Sequence, residues 1–346
     1  MDRYLRSGGW LTEFHETARL EQTISEFLGV KYAVMTNNGT VALALGLMAL
    51  GIKEGDEVIV PDFTMIATPN AVRMVGAKPV FADIDEGSLC MSPRNLPISK
   101  KTKALMHVSL NGRAGEIHEI RKICKKHGIY FIEDSCQAFT SRHKNKYLGT
   151  FGELGFFSLS PHKIVTTGQG GVVVTNKKSL YEKVKRLKDF GRLQGGADWH
   201  EALGYNFKFT DVQAVIGIGQ MSNIKERIKR KKELYRLYQE KLAGIGQVQF
   251  VKTDLAQTTP WFVDILVPGQ DRLALIEHMK ENGIGSRPFY PSINTQPIYK
   301  GFSKRKFPVS EKITTQGLWL PSSPFLKKKD VEYVCSKIKR FFEDAI

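Results

Sequence analysis

Between about residues 30 and 175, short apolar runs alternate with helical segments, and no other feature limits the fold of this chain so strongly. Strands separated by helices pair in parallel, because each crossover returns the chain to the same end of the sheet, and the helices then cover both faces. Seven runs read as strands: YAVMT at 32 to 36, EVIVP at 57 to 61, KPVFADI at 78 to 84, KALMHVSL at 103 to 110, IYFIED at 129 to 134, LGFFSL at 154 to 159 and GGVVVTN at 170 to 176. Between them, segments 41 to 52, 67 to 76 and 116 to 128 place apolar residues at helical spacing. The expected fold class is α/β, a mainly parallel seven-stranded sheet between helices, with its ligand at the carboxyl ends of the strands.

Residues 208 to 243 read as one long helix, broken at most near Ser222, that leads away from the sheet. Beyond it, strand signals at QVQFV and WFVDILV alternate with helical ones at DRLALIEHMKENG and KKDVEYVCSKIKRFFEDAI. This predicts a large domain with an N-terminal arm over 1–235 and a small α+β domain over 236–346. A chain of 346 residues is long enough to give each its own core.

Charge is unbalanced: 51 Lys and Arg against 35 Asp and Glu leave +16 at pH 7. Much of the excess lies in KERIKRKKEL at 225 to 234, which reads either as a solvated helix face or as a surface for phosphate or nucleic acid. No window approaches the about eighteen apolar residues of a membrane span. The first residues lack a basic stretch followed by an apolar one, so a cytoplasmic protein is expected. Cys90, Cys124, Cys136 and Cys335 are widely spaced; neither a metal site nor a disulfide framework is expected, and the thiols should be reduced and buried.

Three segments carry candidate chemistry. In GFFSLSPHKIVTTGQGGVVVTN, at 155 to 176, a strand ends, Lys163 follows a short turn, and a glycine-rich stretch leads into the next strand. A lysine whose amine is neutral part of the time can form a Schiff base, and desolvation or neighbouring cations make it so; alone, a lysine beside glycines reads as a surface lysine. In YFIEDSCQAF, Asp134 ends a strand with Gln137 three residues on. A carboxylate there could keep a pyridine nitrogen protonated, or could cap the next helix. In MTNNGTVALALG, a strand runs through N-N-G-T into a helix, whose free N–H groups and dipole attract phosphate, with the Thr40 hydroxyl close by. Asn38 or Thr40 could equally be the N-cap.

Taken in order, G-T-V-A-L, P-D-F-T-M-I-A-T, E-D-S-C-Q-A, F-S-L-S-P-H-K-I-V-T-T-G-Q-G-G and G-Y-N-F-K-F-T-D-V-Q-A make the chain one that resembles the DegT/DnrJ/EryC1/StrS sugar aminotransferases over nearly its whole length. Within that family, SLNGR, GYNFK-T-D and SRPF-x-P are similar to perosamine-synthase-like 4-aminotransferases. The resemblance implies a fold type I enzyme that uses pyridoxal phosphate and works as a homodimer with shared active sites. It also implies L-glutamate as amino donor and, as acceptor, a keto-deoxy sugar carried by a nucleoside diphosphate.

Carried over position by position, the resemblance makes Lys163 the residue that holds the cofactor and later moves the proton. It makes Asp134 the partner of the pyridine nitrogen and Gln137 a donor to the phenolic oxygen. It gives the cofactor phosphate to Thr40, to the backbone of Val41 and to Ser158, and has Asn206 reach the phosphate in the neighbouring subunit. Trp10 falls in the segment that lines the sugar pocket. Lys208 and Arg287 become candidates for the donor or the diphosphate, or for salt bridges between domains; Tyr290 and Tyr299 become candidates for the sugar pocket or for packing. No metal, nucleic acid or membrane is implied.

The chain departs from the family pattern in three places. Met65 stands where an aromatic residue is common, and a thioether can pack on a ring with less area. Gln169 replaces a usual Glu. RSGGWLTEF begins at position 6, earlier than is usual, and carries Phe14 where a glycine is common. Sister enzymes that remove a sugar hydroxyl carry histidine in place of the lysine; here the residue five before Gly168 is Lys163, with His162 preceding it. The implied reaction is therefore amination, of a 4-keto-6-deoxy sugar such as GDP-4-keto-6-deoxymannose, for surface polysaccharide or O-antigen. The alternative is a 3-keto sugar on dTDP or UDP. A basic polyanion-binding protein on a decayed scaffold would have lost the lysine or the aspartate, and both are present.

Overall fold

The apolar runs pair as their alternation predicts. The computed structural model describes residues 1–192, 198–200, 202–269 and 271–343. Strands β1 (Tyr32–Thr36), β2 (Glu57–Pro61), β3 (Lys78–Ala82), β4 (Thr102–Val108) and β5 (Tyr130–Asp134) come first. A short hairpin of β6 (Arg142–His143) and β7 (Lys146–Tyr147) then leads to β8 (Leu154–Ser158) and β9 (Gly171–Thr175). All but the hairpin join one sheet in the order β1-β9-β8-β5-β4-β2-β3. Only β9 runs antiparallel to its neighbours, because the chain returns to it from β8 without a crossover helix.

Helices α1 (Asp2–Arg6) and α2 (His15–Leu28) precede the sheet; α3 (Gly39–Ala49), α4 (Ala67–Met74) and α5 (Ile117–His127) connect its strands, and α6 (Lys178–Lys188) follows β9. The first of the connectors, GTVALALGLMA, is apolar on every side and is buried nearly throughout, as a helix enclosed by its neighbours must be. Gly46 lets it lie against β8, where a Cβ would come within 2.3 Å of the Phe156 ring.

The expected helix over 208 to 243 is two helices, α7 (Asp211–Ser222) and α8 (Ile224–Lys241), parted at Asn223. The first packs on α2 and caps it. Asp211 accepts the N–H groups of Phe14, Glu16 and Thr17 at 2.8, 2.9 and 2.9 Å, and the Thr17 hydroxyl at 2.7 Å. These donors are the orphan N–H groups of the α2 N-terminus, where Phe14 offers no capping side chain. Burial alone would raise the Asp211 pKa, but the bonds from Thr17, Glu16 and Phe14 outweigh it and hold the carboxyl below its usual value.

A second sheet, all antiparallel, has the order β10-β11-β13-β12, with β10 (Gln249–Phe250), β11 (Val263–Leu266), β12 (Arg287–Pro288) and β13 (Gly317–Leu320). Helices α9 (Arg272–Glu281), α10 (Pro308–Gln316) and α11 (Lys328–Glu343) complete this part; the last three residues of the helix expected to 346 lie outside the described residues. Ile224 and Ile228 at the start of α8 pack with the large-sheet side, whereas Leu234, Tyr235 and Tyr238 join the core of the second sheet. Ile293, Tyr299 and Phe307 return to the core of the first. Tyr299 is thus a packing residue, its hydroxyl donated to Asn70 Oδ1 at 2.6 Å.

The basic run at 225 to 234 does not form a uniformly solvated face. Lys231 is 8% exposed, and its ammonium donates to the carbonyls of Trp261 and Ser322. Arg230 turns to the carbonyls of Pro324 and Leu326. The reason is register: Lys231 lies one turn before Leu234 and Tyr235, on the stripe of α8 that faces inward. No helix among the described residues is long and apolar enough to cross a membrane.

Candidate active site

A cavity of about 620 Å³ opens at the carboxyl ends of β1, β2, β5 and β8, against the N-terminus of α3. Asn38 is the N-cap, and its side chain accepts the Val41 N–H at 2.9 Å. The N–H groups of Gly39 and Thr40 sit in the first turn, which has no intrahelical acceptors to offer them. The approach is close enough to demand glycine: a Cβ on Gly39 would meet the Ser158 Cβ at 3.0 Å, and one on Gly171 would meet the Asn38 carbonyl oxygen at 2.2 Å. Ser158 ends β8 beside this helix start and donates to Ser160 Oγ at 3.3 Å.

Asp134 ends β5 with its side chain buried. Its Oδ2 accepts the Thr68 hydroxyl at 2.7 Å, and its Oδ1 the Cys136 N–H at 3.2 Å. Gln137 lies in the same wall, and its Oε1 accepts the Asn111 N–H at 2.9 Å. With that oxygen taken, the amide presents its N–H₂. Asn111 is itself clamped to Phe262 by a reciprocal pair of bonds at 3.0 and 2.7 Å.

Lys163 follows a turn closed by its N–H to the Ser160 carbonyl at 3.0 Å. Its Nζ rests 3.5 Å from the centre of the Trp261 ring, and the indole is fixed by Nε1 donating to the His162 carbonyl at 2.8 Å. Burial pushes the Lys163 ammonium down to about 8, against the opposing pull of Cys136 and Asp134. An amine in that range is a nucleophile and a proton carrier near neutral pH.

Residues 2–339 match the DegT/DnrJ/EryC1/StrS aminotransferase family. The chain belongs to that family. The GDP-perosamine synthase of Escherichia coli O157:H7 is 38% identical over 329 residues, covering 94% of this chain and 90% of its own. The GDP-perosamine synthase of Vibrio cholerae is 38% identical over 330 residues, covering 94% and 90%. Among solved structures, DesV of S. venezuelae superimposes with a TM-score of 0.91 at 29% identity, covering 98% of this chain and 92% of that one.

As a member of that family the chain is an aminotransferase that depends on pyridoxal phosphate. The residues fit that cofactor: one partly dried lysine, a carboxylate and an amide donor share a cavity with a helix N-terminus held open by Gly39. Of the residues singled out from the sequence, Thr40, Val41, Met65, Asp134, Gln137, Ser158, Lys163, Arg287 and Tyr290 line that cavity. The Val41 N–H is already bonded to Asn38. Met65 bends back so that its sulfur accepts the Ala67 N–H at 3.0 Å. Arg287 lies over the rings of Tyr290 and Trp319 at 5.5 and 5.7 Å.

Trp10, Asn206 and Lys208 do not line the cavity in the single chain. Trp10 is 64% exposed in the N-terminal arm. Asn206 is exposed and bridges to Asp189, and Lys208 is tied to Asp189 at 2.9 Å. Cys136, expected to be buried, instead lines the cavity of the aminotransferase. Trp261, Thr68 and Asn111 were given no role from the sequence, although Thr68 and Asn111 stand in quoted motifs, because their contacts with Lys163, Asp134 and Gln137 join separate segments, 66 positions apart for Thr68 and 26 for Asn111.

Proposed function

We infer that the enzyme transfers the amino group of glutamate to the 4-keto group of a GDP-linked 6-deoxy sugar. The observation that carries the chemistry is Lys163, its amine dried to about pKa 8 in a cavity shared with Asp134, Gln137 and an open helix N-terminus. The sugar and its carrier rest on two GDP-perosamine synthases, each 38% identical over 94% of the chain.

Pyridoxal phosphate, when bound, supplies the carbonyl that carries an amino group from donor to acceptor and a ring that draws electrons from the bond being broken. Lys163 would hold it through Nζ and would move a proton to and from the substrate carbon. Asp134 takes the ring nitrogen and keeps it protonated, while the Thr68 hydroxyl fixes that carboxylate. Gln137, oriented by Asn111, donates its amide N–H to the phenolic oxygen. The phosphate is received by the Gly39 and Thr40 N–H groups with the Thr40 and Ser158 hydroxyls. Val41 serves there by packing, since its N–H serves Asn38. Met65 takes the position of the stacking residue. Arg287 holds the donor carboxylate or the diphosphate, with Tyr290 beside the sugar.

A second copy of the chain completes the site. The exposure of Asn206 and Trp10, both outside their own cavity, supports a homodimer in which each reaches the partner's. Lys208, held by Asp189, serves to fix the segment that carries Asn206. The change of core within α8 supports a large domain over 1–235 and a small one over 236–346, with Ile293, Tyr299 and Phe307 of the second reaching back into the core of the first. A cytoplasmic enzyme making deoxyamino sugars for surface polysaccharide such as O-antigen fits this substrate.

The substrate is tested with glutamate and a panel of 4-keto and 3-keto sugars on GDP, dTDP and UDP, with products read by mass spectrometry. The GDP-linked 4-keto-6-deoxy sugar is expected to turn over with the highest kcat/KM. Conversion of 3-keto sugars alone overturns the regiochemistry.

A further inference from the structure

Lys163 and Trp261 form a wall with two sides. On one lies the reaction cavity; on the other, a separate cavity of about 340 Å³ sits between the turn at 161 to 166, the end of α7, the start of α8 and the segment at 322 to 325. Among the described residues no Asp or Glu lines it. Arg227 and Lys231 do, one turn apart on α8. Of the acids on that helix, Glu226 precedes Arg227 but is exposed and outside the lining, and Glu233 faces Lys229 and Arg230 at 4.0 and 3.8 Å.

Among the described residues no carboxylate pairs with either cation. Lys231 gives its ammonium to the carbonyls of Trp261 and Ser322, and burial pushes it down to about 7. Arg227 reaches the Ile164 carbonyl only at 3.4 Å, and its Nε is buried without a partner. Gln220 Oε1, also in this wall, is buried and unbonded, and calls for a donor on the body of a ligand rather than for its anionic group. Burying a cation without its counter-charge is costly, whereas an oxyanion set against a guanidinium fork and an ammonium would satisfy both.

The geometry points to a second ligand site, in which Arg227 and Lys231 bind the phosphate or carboxylate group of a small metabolite distinct from the sugar nucleotide. The cavity is larger than a bare oxyanion needs, so the ligand carries a compact body beyond its charged group. Phe325, 84% exposed and lining the same cavity, offers that body an apolar contact. The site is coupled to the chemistry: Lys231 holds the Trp261 carbonyl, and the Trp261 ring holds the Lys163 amine. An anion there draws on the same ammonium that positions Trp261, so its occupancy is felt at the reactive lysine.

The test is isothermal titration of holoenzyme saturated with cofactor, which keeps the α3 phosphate cradle filled, using inorganic phosphate and acetate at ionic strength fixed with chloride. One ion per chain is expected to bind, and Arg227→Gln should weaken it about tenfold or more. Arg287→Gln, in the reaction cavity, should leave that binding unchanged, and a far-ultraviolet melt of each variant checks its fold. Tighter binding of phosphate identifies a phosphorylated ligand, and tighter binding of acetate a carboxylate. Absence of binding by both ions, equal affinity in a folded Arg227→Gln, or loss in Arg287→Gln overturns the site.

Discussion

Lys163 is the residue on which the proposed chemistry turns, and its environment sets when it can act. Its pKa is lowered from 10.5 to about 8 by burial, so the neutral, nucleophilic form grows as pH rises through that value. The rate at which apoprotein takes up cofactor should therefore climb between about pH 7 and 9 and then level, as read by the growth of its visible absorption. A rate flat across that range would mean that the amine is already neutral. Asp62 carries a second pH dependence, this one on stability. It is fully buried, with Oδ2 unpartnered and Oδ1 accepting the Asn294 N–H at 2.9 Å. Burial, reinforced by Asp83 and Glu311, raises its pKa to about 7. The folded state then binds the proton more tightly than the unfolded one, so this stability is full below about pH 4 and lost as pH rises toward about 7. Asp62→Asn should raise stability at about pH 8 by on the order of 1–3 kcal/mol and flatten the slope between those values. Urea melts at both ends of the range measure this, and an equal loss at each would contradict it.

Elements are joined across the molecule by a few polar contacts whose removal has calculable signs. The Asp211 carboxylate caps α2 from α7; Asp211→Ala should cost about 1–2 kcal/mol, as loss of a cap does, and a melting temperature unmoved by the change would show α2 to be held by packing alone. Arg113, beyond β4, binds Asp264 of β11 through two bonds of 2.7 Å, with both side chains buried. Arg113→Ala leaves that carboxylate buried and unpaired, at about 3–5 kcal/mol, and a chemical melt should show it. The strands of the large sheet were legible in the sequence because buried parallel strands are short continuous apolar runs, VVVT in β9 being one. β12 was not, because two residues, Arg287 and Pro288, leave no periodicity to read. The break at Asn223 was visible only as a weak point, since the pattern runs on through it; there the Ser222 hydroxyl and the Asn223 amide turn back to the Gly219 carbonyl at 2.8 and 3.5 Å.

At the scale of the whole molecule, the site is assembled from both ends of the chain. Lys163, Asp134 and Thr40 were found through segments whose spacing is local, each at or just beyond the end of a strand; Arg287, read from its motif, and Trp261, given no role from the sequence, come to the same cavity from the side of the second sheet. Asn206 and Trp10 remain outside the cavity of their own chain, and the homodimer that would bring them to a partner should sediment at twice the mass of the 39.0 kDa chain. A monomer with full activity would remove Asn206 from the site. The central claim is that Lys163 holds the cofactor and moves the proton while nitrogen passes from an amino acid to a sugar nucleotide, and it is tested most directly by following nitrogen-labelled glutamate with a GDP-linked 4-keto-6-deoxy sugar. The wild-type enzyme should yield a labelled amino sugar and 2-oxoglutarate in equal amounts, and Lys163→Ala neither. Label in the sugar at the wild-type rate with Lys163→Ala, or none with the wild type on any keto-sugar nucleotide, would contradict it.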